Sequence, residues 1–204
     1  MEIPCFEPRI DADDAVQRTD RLTVTSYLLS TLRSLLGRAD ESEPTITALY
    51  YPDYLAYTTV TLQRVGLSEK EDKFIAAVDA ATGRVGEVDV TLPDVETREI
   101  PESQVVPIEY DEDDAEAEWD EWLFSYIDRT YRPVKQPETS LDRLELVYTP
   151  YYAVDYGPDA DEGPYAVSAL TKQVELIADI PPLNDEYSAV DTRPLSTTPF
   201  PRRR

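Results

Sequence analysis

One short frame, Tyr-x-Pro-x-Tyr, occurs twice in this chain and constrains the fold more than any other feature. The first copy begins at Tyr50 and the second at Tyr148, which places them 148 − 50 = 98 residues apart. Each copy is followed by another apolar run, 74–79 or 165–170, and then by a Thr-x-x-Val turn with a last short strand. A segment with helical spacing precedes each copy. The sequence therefore predicts an α+β fold of tandem duplicated helix–β–β units with antiparallel sheets and extended Pro-rich terminal arms.

The recurrence also sets the predicted domain boundaries. The predicted segments are an N-terminal arm at 1–10, a first αββ unit at 11–92, a linker at 93–110, a second αββ unit at 111–181 and a Pro/Arg-containing C-terminal arm at 182–204. Both arms carry several prolines, which disfavour a helix or a central strand. We expect both arms to lie away from the core and to contact another chain. Part of the linker, 93–107, has a second interpretation as an arm laid across a neighbour.

Two segments carry the clearest helical spacing. Leucines at 28, 32, 35 and 36 follow an i, i+4, i+7, i+8 pattern, and Gly37 suits a left-handed C-terminal cap. The second helix places Trp119, Trp122, Leu123, Tyr126 and Ile127 on one face, and Pro133 ends it. The segment 45–65 is rich in Thr, Tyr and Val, which favours one long strand or a bent pair, and 144–156 repeats the strand pattern. The two tryptophans are expected to pack between helix and sheet.

The charge of the chain is strongly one-sided. Lys and Arg total 19 and Asp and Glu total 42, giving a formal net charge of −23 over 204 residues, and only four of the basic residues are Lys. Hydrophobic residues still make up 41% of the chain, so a core can form and the acid belongs mostly on the surface. An acidic, Lys-poor, folded chain resembles proteins of extreme halophiles, in which molar salt screens the repulsion between carboxylates.

A turn after the first frame carries a family resemblance. Residues 78–85 read Val-Asp-Ala-Ala-Thr-Gly-Arg-Val, and this V-D-x-x-T-G-x-V turn after a helix and an aromatic strand resembles the PepSY and cystatin-like group. The second copy, 169–174, keeps Thr171 and Val174 and lacks the Asp and the Gly. The resemblance implies small domains that bind, inhibit or pack against other proteins. No catalytic residue is carried over from it.

Few residues suit catalysis or metal binding. The chain has no histidine, which removes the commonest general base and the usual zinc ligand. Cys5 is the single cysteine and has no activating partner nearby in sequence. A loop containing Asp155, Asp159, Asp161 and Glu162 is a weak candidate for a cation site, although it lacks EF-hand spacing; the alternative is an acidic loop with loosely bound cations. We expect no cofactor and no enzymatic activity.

The tyrosines of the two frames have two interpretations. Period two places Tyr50 and Tyr54 on one face of the first strand, and Tyr148 and Tyr152 on the matching face of the second. Cross-strand packing in the core is the favoured interpretation. The alternative is an interaction surface, because Tyr is enriched at interface hot spots. Base stacking is disfavoured because the net negative charge repels phosphates, so only the Arg tail could touch nucleic acid.

These observations favour a soluble, non-catalytic assembly subunit that works in high salt. Its anchors to other subunits, including copies of itself, are expected at Phe6, Phe200, Arg202, Arg203 and Arg204. No run approaches the roughly 20 apolar residues of a membrane span, and the N-terminus lacks a signal-peptide layout, so cytoplasmic synthesis in a high-salt cell is expected. The leading expectation is a head, neck or tail component of a halophilic archaeal virus. The alternative is a PepSY-like regulatory or inhibitor module of a halophilic archaeon.

Overall fold

The chain combines helices with one mixed β-sheet. The computed structural model describes residues 1–22, 44–62, 70–131, 133, 135–157 and 163–190. Within them, helices and eight sheet strands confirm the predicted α+β class. The leucine run at 28–36 and its cap Gly37 lie outside these residues. No helix in the described part of the chain is both long and apolar enough to span a membrane.

The elements alternate along the chain. The strands are β1 (Glu2–Phe6), β2 (Thr45–Leu62), β3 (Lys70–Asp79), β4 (Val85–Glu87), β5 (Val95–Glu99), β6 (Glu138–Asp155), β7 (Tyr165–Ser168) and β8 (Val174–Leu176). The α-helices are α1 (Ala12–Leu22), α2 (Glu112–Tyr131) and α3 (Pro181–Ala189). Single 3-10 turns lie at Glu102–Gln104 and Ile177–Asp179. The two frames each lie inside an 18-residue strand, β2 and β6.

The described elements belong to two compact units that are each discontinuous in sequence. Unit 1 comprises Met1–Tyr51, Pro93–Val106 and Thr149–Arg204. Unit 2 comprises Pro52–Leu92 and Pro107–Tyr148. The long strands β2 and β6 therefore each contribute to both units, and each passes from one unit to the other inside its frame. This division differs from the two sequential units that the recurrence predicts.

Unit 2 is a sheet covered by α2. Its strand order is β4-β3-β2-β6, and β2 pairs antiparallel with β3 from Asp53 opposite Asp79 to Leu62 opposite Lys70. The helix α2 packs on β3 and β4. Its buried residues join those of the strands in one core that contains Tyr54, Val60, Val78, Trp119, Leu123 and Ile127, with Trp122 packed at its edge. The expected packing of both tryptophans between helix and sheet is confirmed.

Unit 1 also contains strands of the sheet and a helix packed on them. The start of β2 lies beside β6, then β1 and β5, while β7 pairs with β6 and β8 with β7. The helix α1 packs on β7. The core of unit 1 includes Ile10, Ala15, Tyr152, Val154, Val167 and Ala169. The helix α3 packs on both 3-10 turns and buries Leu183 fully.

Each unit takes its helix from one predicted repeat and its β-hairpin from the other. In unit 1, α1 from the first half of the chain packs on β7 from the second half. In unit 2, α2 from the second half covers β3 and β4 from the first half. Each unit therefore combines elements from both halves of the chain, and neither predicted αββ unit, 11–92 or 111–181, forms a compact unit by itself.

The expectation of an extended N-terminal arm is wrong. Residues 2–6 form β1, which pairs antiparallel with β5 and lies between β5 and β6. Ile3, Cys5 and Phe6 are each no more than 2% exposed, so the segment belongs to the core of unit 1. Pro4 removes one backbone donor from the strand, and the burial of its neighbours outweighs that loss. Phe6 is therefore a core residue and not an anchor for another chain.

Two other segments predicted to lack regular structure also contain elements. The linker 93–110 contributes β5 and a 3-10 turn to unit 1. The start of the predicted C-terminal arm is α3, whose first residues are Pro181 and Pro182. Proline is tolerated there because the first N–H groups of a helix have no partner inside the helix. The remainder of that arm, from 191 onward, lies outside the described residues.

Candidate interaction surface

The helices of both units begin in the same way. The carboxylate of Asp11 accepts a hydrogen bond from the Asp14 N–H at 3.0 Å, and that of Asp111 accepts one from the Asp114 N–H at 3.1 Å. Residues 11–15 and 111–115 share an Asp-x-Asp-Asp-Ala pattern exactly one hundred residues apart, 111 − 11 = 100. The alanine that closes each pattern is completely buried. This second recurrence was available in the sequence and marks both N-caps.

The frame tyrosines are core residues in both units. Tyr50, Tyr54, Tyr148 and Tyr152 are between 2% and 7% exposed. Burial is the main cause that raises the pKa of all four phenols. The Tyr54 phenol further raises the pKa of Tyr148, and Asp11 and then Tyr50 further raise that of Tyr152. The packing interpretation of these side chains is confirmed. The interaction role that was the alternative for them is wrong, because they are not on the surface of the chain.

Each frame also fixes the turn that follows it. The Ala80 N–H donates to the carbonyl of Pro52 at 3.1 Å, and the Ala169 N–H donates to that of Pro150 at 2.9 Å. A proline cannot donate to a neighbouring strand, but its carbonyl can accept, and both frames use it in this way.

The turn that carries the family resemblance is held by its own side chains. The Asp79 carboxylate accepts hydrogen bonds from the N–H groups of Ala81 and Thr82 at 2.9 and 3.0 Å. In the second copy the Ser168 hydroxyl accepts from the Thr171 N–H at 3.1 Å. Serine therefore replaces the aspartate that the second copy lacks. The role of both residues here is to close a turn.

Cys5 is a buried thiol near Tyr50 of the first frame. Burial raises its pKa to about 12, with the Arg98 guanidinium acting in the opposite direction. The thiol therefore stays protonated at neutral pH, and its Sγ lies 3.3 Å from the Phe6 carbonyl as a donor. A protonated, buried thiol behaves as a small apolar core group.

The cation candidate is described only at Asp155. One carboxylate oxygen accepts from the Gly157 N–H and the other from the Tyr187 hydroxyl, both at 2.7 Å. Its other candidates, Asp159, Asp161 and Glu162, lie outside the described residues. Where the chain is described, no group of three or more acidic or Cys residues is arranged to hold a metal ion. Asp155 anchors α3 through Tyr187.

The most exposed large apolar side chain among the described residues is Phe124, at 71%. It lies on α2, with Asp120 and Glu121 one turn before it and Asp128 one turn after it, all exposed. We call these four residues the Phe124 face. The predicted anchors Phe200, Arg202, Arg203 and Arg204 lie outside the described residues.

The opposite side of α2 holds the Phe124 face in a fixed orientation. Tyr126 stacks on Trp122 at 4.6 Å between ring centroids and contacts Phe74 of β3 at 4.9 Å. The Trp119 indole N–H donates to the Thr58 hydroxyl of β2 at 2.9 Å. These contacts fix the rotation of the helix, so Phe124 is exposed because the other side of α2 is already packed.

Searches against protein-family models, curated proteins and solved structures found no match for this chain.

Proposed function

We propose that this protein is a non-catalytic structural subunit of a large assembly that forms in high salt. The observation that carries this proposal is the Phe124 face, where a phenylalanine 71% exposed stands among carboxylates on a rigidly packed helix. Burying such a side chain in a partner contributes roughly 1.5–3 kcal/mol, and aromatic residues are enriched where interfaces gain most of their free energy. The partners are other protein subunits, including copies of this chain.

The charge distribution supports a high-salt setting. The helix α2 illustrates this distribution. It carries acidic residues along its exposed side, and Arg129 is its only basic residue. In molar salt the Debye length falls to about 3 Å, so repulsion between such carboxylates is largely screened. Apolar contacts persist under the same conditions, because they do not depend on charge. An interface centred on Phe124 suits this medium.

Three described groups that could take part in chemistry have structural roles instead. The Cys5 thiol is protonated and buried, and the Asp79 and Asp155 carboxylates are occupied by turn and helix contacts. This use of the polar groups supports a binding or structural role. Within that role, we propose a head, neck or tail component of a halophilic archaeal virus, made in the cytoplasm and incorporated into the particle.

We also infer that the chain arose by tandem duplication of a helix–strand–strand unit. Support comes from matching contacts at matching positions: the caps at Asp11 and Asp111, and the carbonyls of Pro52 and Pro150 that accept from equivalent turns. A second copy that keeps the contact while changing the side chain, as Ser168 does for Asp79, is the pattern expected of divergence after duplication.

A second candidate function rests on the turn at residues 78–85. Its hydrogen-bonded Asp79 and its left-handed Gly83 suit the PepSY-like resemblance, which implies a regulatory or inhibitor module acting as a monomer. In that role the chain would bind one partner and would not be present in many copies in a particle.

The mass of the native complex in molar KCl tests the two functions. A tagged chain recovered from its own cells in about 3 M KCl is measured by native mass determination. An assembly subunit appears in many copies together with other particle proteins. A monomer, or a complex with one copy and a single partner, contradicts the assembly proposal and favours the regulatory module.

A further inference from the structure

The Phe124 face is an exposed helix surface with a defined chemistry. Its centre is one aromatic ring and its rim is three carboxylates, from Asp120, Glu121 and Asp128. A complementary ligand presents an apolar or aromatic side chain next to several cations. Arg is the cation best suited to such a rim, because its planar guanidinium forms paired hydrogen bonds with a carboxylate.

This chain contains a segment with that chemistry. The described residues end at Val190, and the sequence after it runs to Phe200, Pro201 and three consecutive arginines at 202–204. Nowhere else in the chain do three basic residues stand together. An aromatic residue is thus followed directly by a proline and three guanidinium groups, which matches the centre and rim of the Phe124 face.

We propose that residues 198–204 of one copy bind the Phe124 face of a second copy. Phe200 packs on Phe124, and the arginines pair with the carboxylates at the rim. The two surfaces differ, so the contact is heterologous, and repeating it adds copies head to tail into a ring or a filament. This inference rests on the proposed function, and it specifies how copies of the assembly subunit contact one another.

A labelled peptide covering residues 191–204 provides the probe. Its binding to the full chain is followed by fluorescence anisotropy in about 3 M KCl, at chain concentrations low enough for the chain to be monomeric. We expect saturable binding that Phe124→Ser weakens about tenfold or more, the equivalent of burying one Phe. A peptide carrying Phe200→Ser should lose a similar factor. Combining both changes should cost little more than either alone, because they remove one contact.

Matched variants separate this contact from general charge attraction. Asp120→Asn with Asp128→Asn should weaken binding about two- to fivefold, whereas Glu138→Gln with Glu175→Gln removes the same charge elsewhere and should leave binding unchanged. Val95→Ser, at another exposed apolar residue, should also have no effect. Circular dichroism melts check that every variant remains folded.

Several outcomes overturn the inference. Absence of peptide binding, equal loss in the charge-matched control, or unchanged affinity of Phe124→Ser would each do so. Binding of the tail to the Phe124 face of its own chain would also overturn it. Such binding would not depend on the concentration of the chain. If the native complex nevertheless contains many copies, the assembly function stands and only its proposed self-contact fails.

Discussion

Lys172 adopts the same left-handed backbone conformation as Gly83, with φ of 67° against 72°. The two residues occupy matching places, each four residues after the side chain that closes its turn, Ser168 and Asp79 respectively. Among the described residues, Lys172 is the only one with positive φ that is not glycine. The two turns therefore share this backbone geometry, although at Lys172 the glycine that suits it best is absent.

Relieving this strain should stabilise the chain. A side chain in the left-handed region costs roughly 1–2 kcal/mol. Glycine avoids this cost, but it also gives the unfolded chain more conformational freedom, which offsets part of the gain. Lys172→Gly should therefore raise the free energy of unfolding by up to about 1 kcal/mol in urea melts at constant salt. Lys172→Ala is the matched control: it removes the ammonium group, keeps the Cβ and should give no gain. A gain of equal size in both variants would mean that charge, and not backbone strain, is responsible.

The reverse change at Gly83 should be more costly. A Cβ at that position would lie 2.5 Å from the Tyr110 ring, in addition to the backbone strain. Gly83→Ala should lower the free energy of unfolding by about 2 kcal/mol or more. Gly86→Ala, where a Cβ meets nothing within 4 Å, is the control for the loss of a glycine. Similar effects of the two substitutions would contradict the close approach of Tyr110.

The hydrogen bond between Trp119 and Thr58 should be essential to unit 2. Both groups are buried, and Thr58→Val would leave the indole N–H without its acceptor. We expect the free energy of unfolding to fall by about 1–3 kcal/mol. Thr61→Val makes the same change at a partly exposed position of the same strand and should have little effect. Equal stability of the two variants in urea melts would show that the buried bond contributes nothing.

Alkaline pH should unfold the chain before its buried phenols ionise. Burial, followed by a hydrogen bond to Asp20, raises the pKa of Tyr156 from 10.0 to about 12. The folded state therefore holds this proton more tightly than the unfolded state, so its contribution to stability is complete below about pH 10 and is lost between about pH 10 and 12. Tyr156→Phe should reduce the slope of stability against pH in that window. Tyrosinate absorbance that rises for these groups while the circular dichroism signal stays native would contradict this.

Truncation should separate α3 from the segment that follows it. Leu183 is completely buried and Tyr187 donates to Asp155, so a chain that ends after Ile180 loses core contacts and should melt well below the full chain. A chain that ends after Val190 keeps α3 and should keep the melting temperature. This replaces the expectation that the whole segment 182–204 lies away from the core. Equal melting temperatures for the two truncations would contradict the role of α3.

Much of the fold could be predicted from residue patterns, because strong local signals decided it. The predicted strand 45–65 is β2, Thr45–Leu62, and the aromatic face around Trp119 lies on α2, which ends before Pro133. Alternating apolar residues and helical spacing report burial directly, so these elements follow from the sequence.

Proline was the main reason that other elements were missed. Pro4 in β1 and Pro181 in α3 argued against regular structure, yet one is offset by buried neighbours and the other occupies a helix start. The packing of α1 on β7 and of α2 on β3 could not be predicted, because helical spacing indicates an apolar face and does not indicate which strand that face covers. Nor could Phe124 be singled out, since its exposure depends on which side of α2 packs on β3.

Thermal melting in graded KCl tests most directly whether the carboxylate surface suits this protein to high salt. With a net charge of −23, repulsion is strong where the Debye length is about 10 Å and weak where it is about 3 Å. The melting midpoint should therefore rise steeply between about 0.1 and about 2 M KCl. A variant with Glu138→Gln, Glu175→Gln and Asp185→Asn, whose charge is −23 + 3 = −20, should begin at a higher midpoint and rise less. A midpoint that stays constant across this range would contradict the proposed adaptation to high salt.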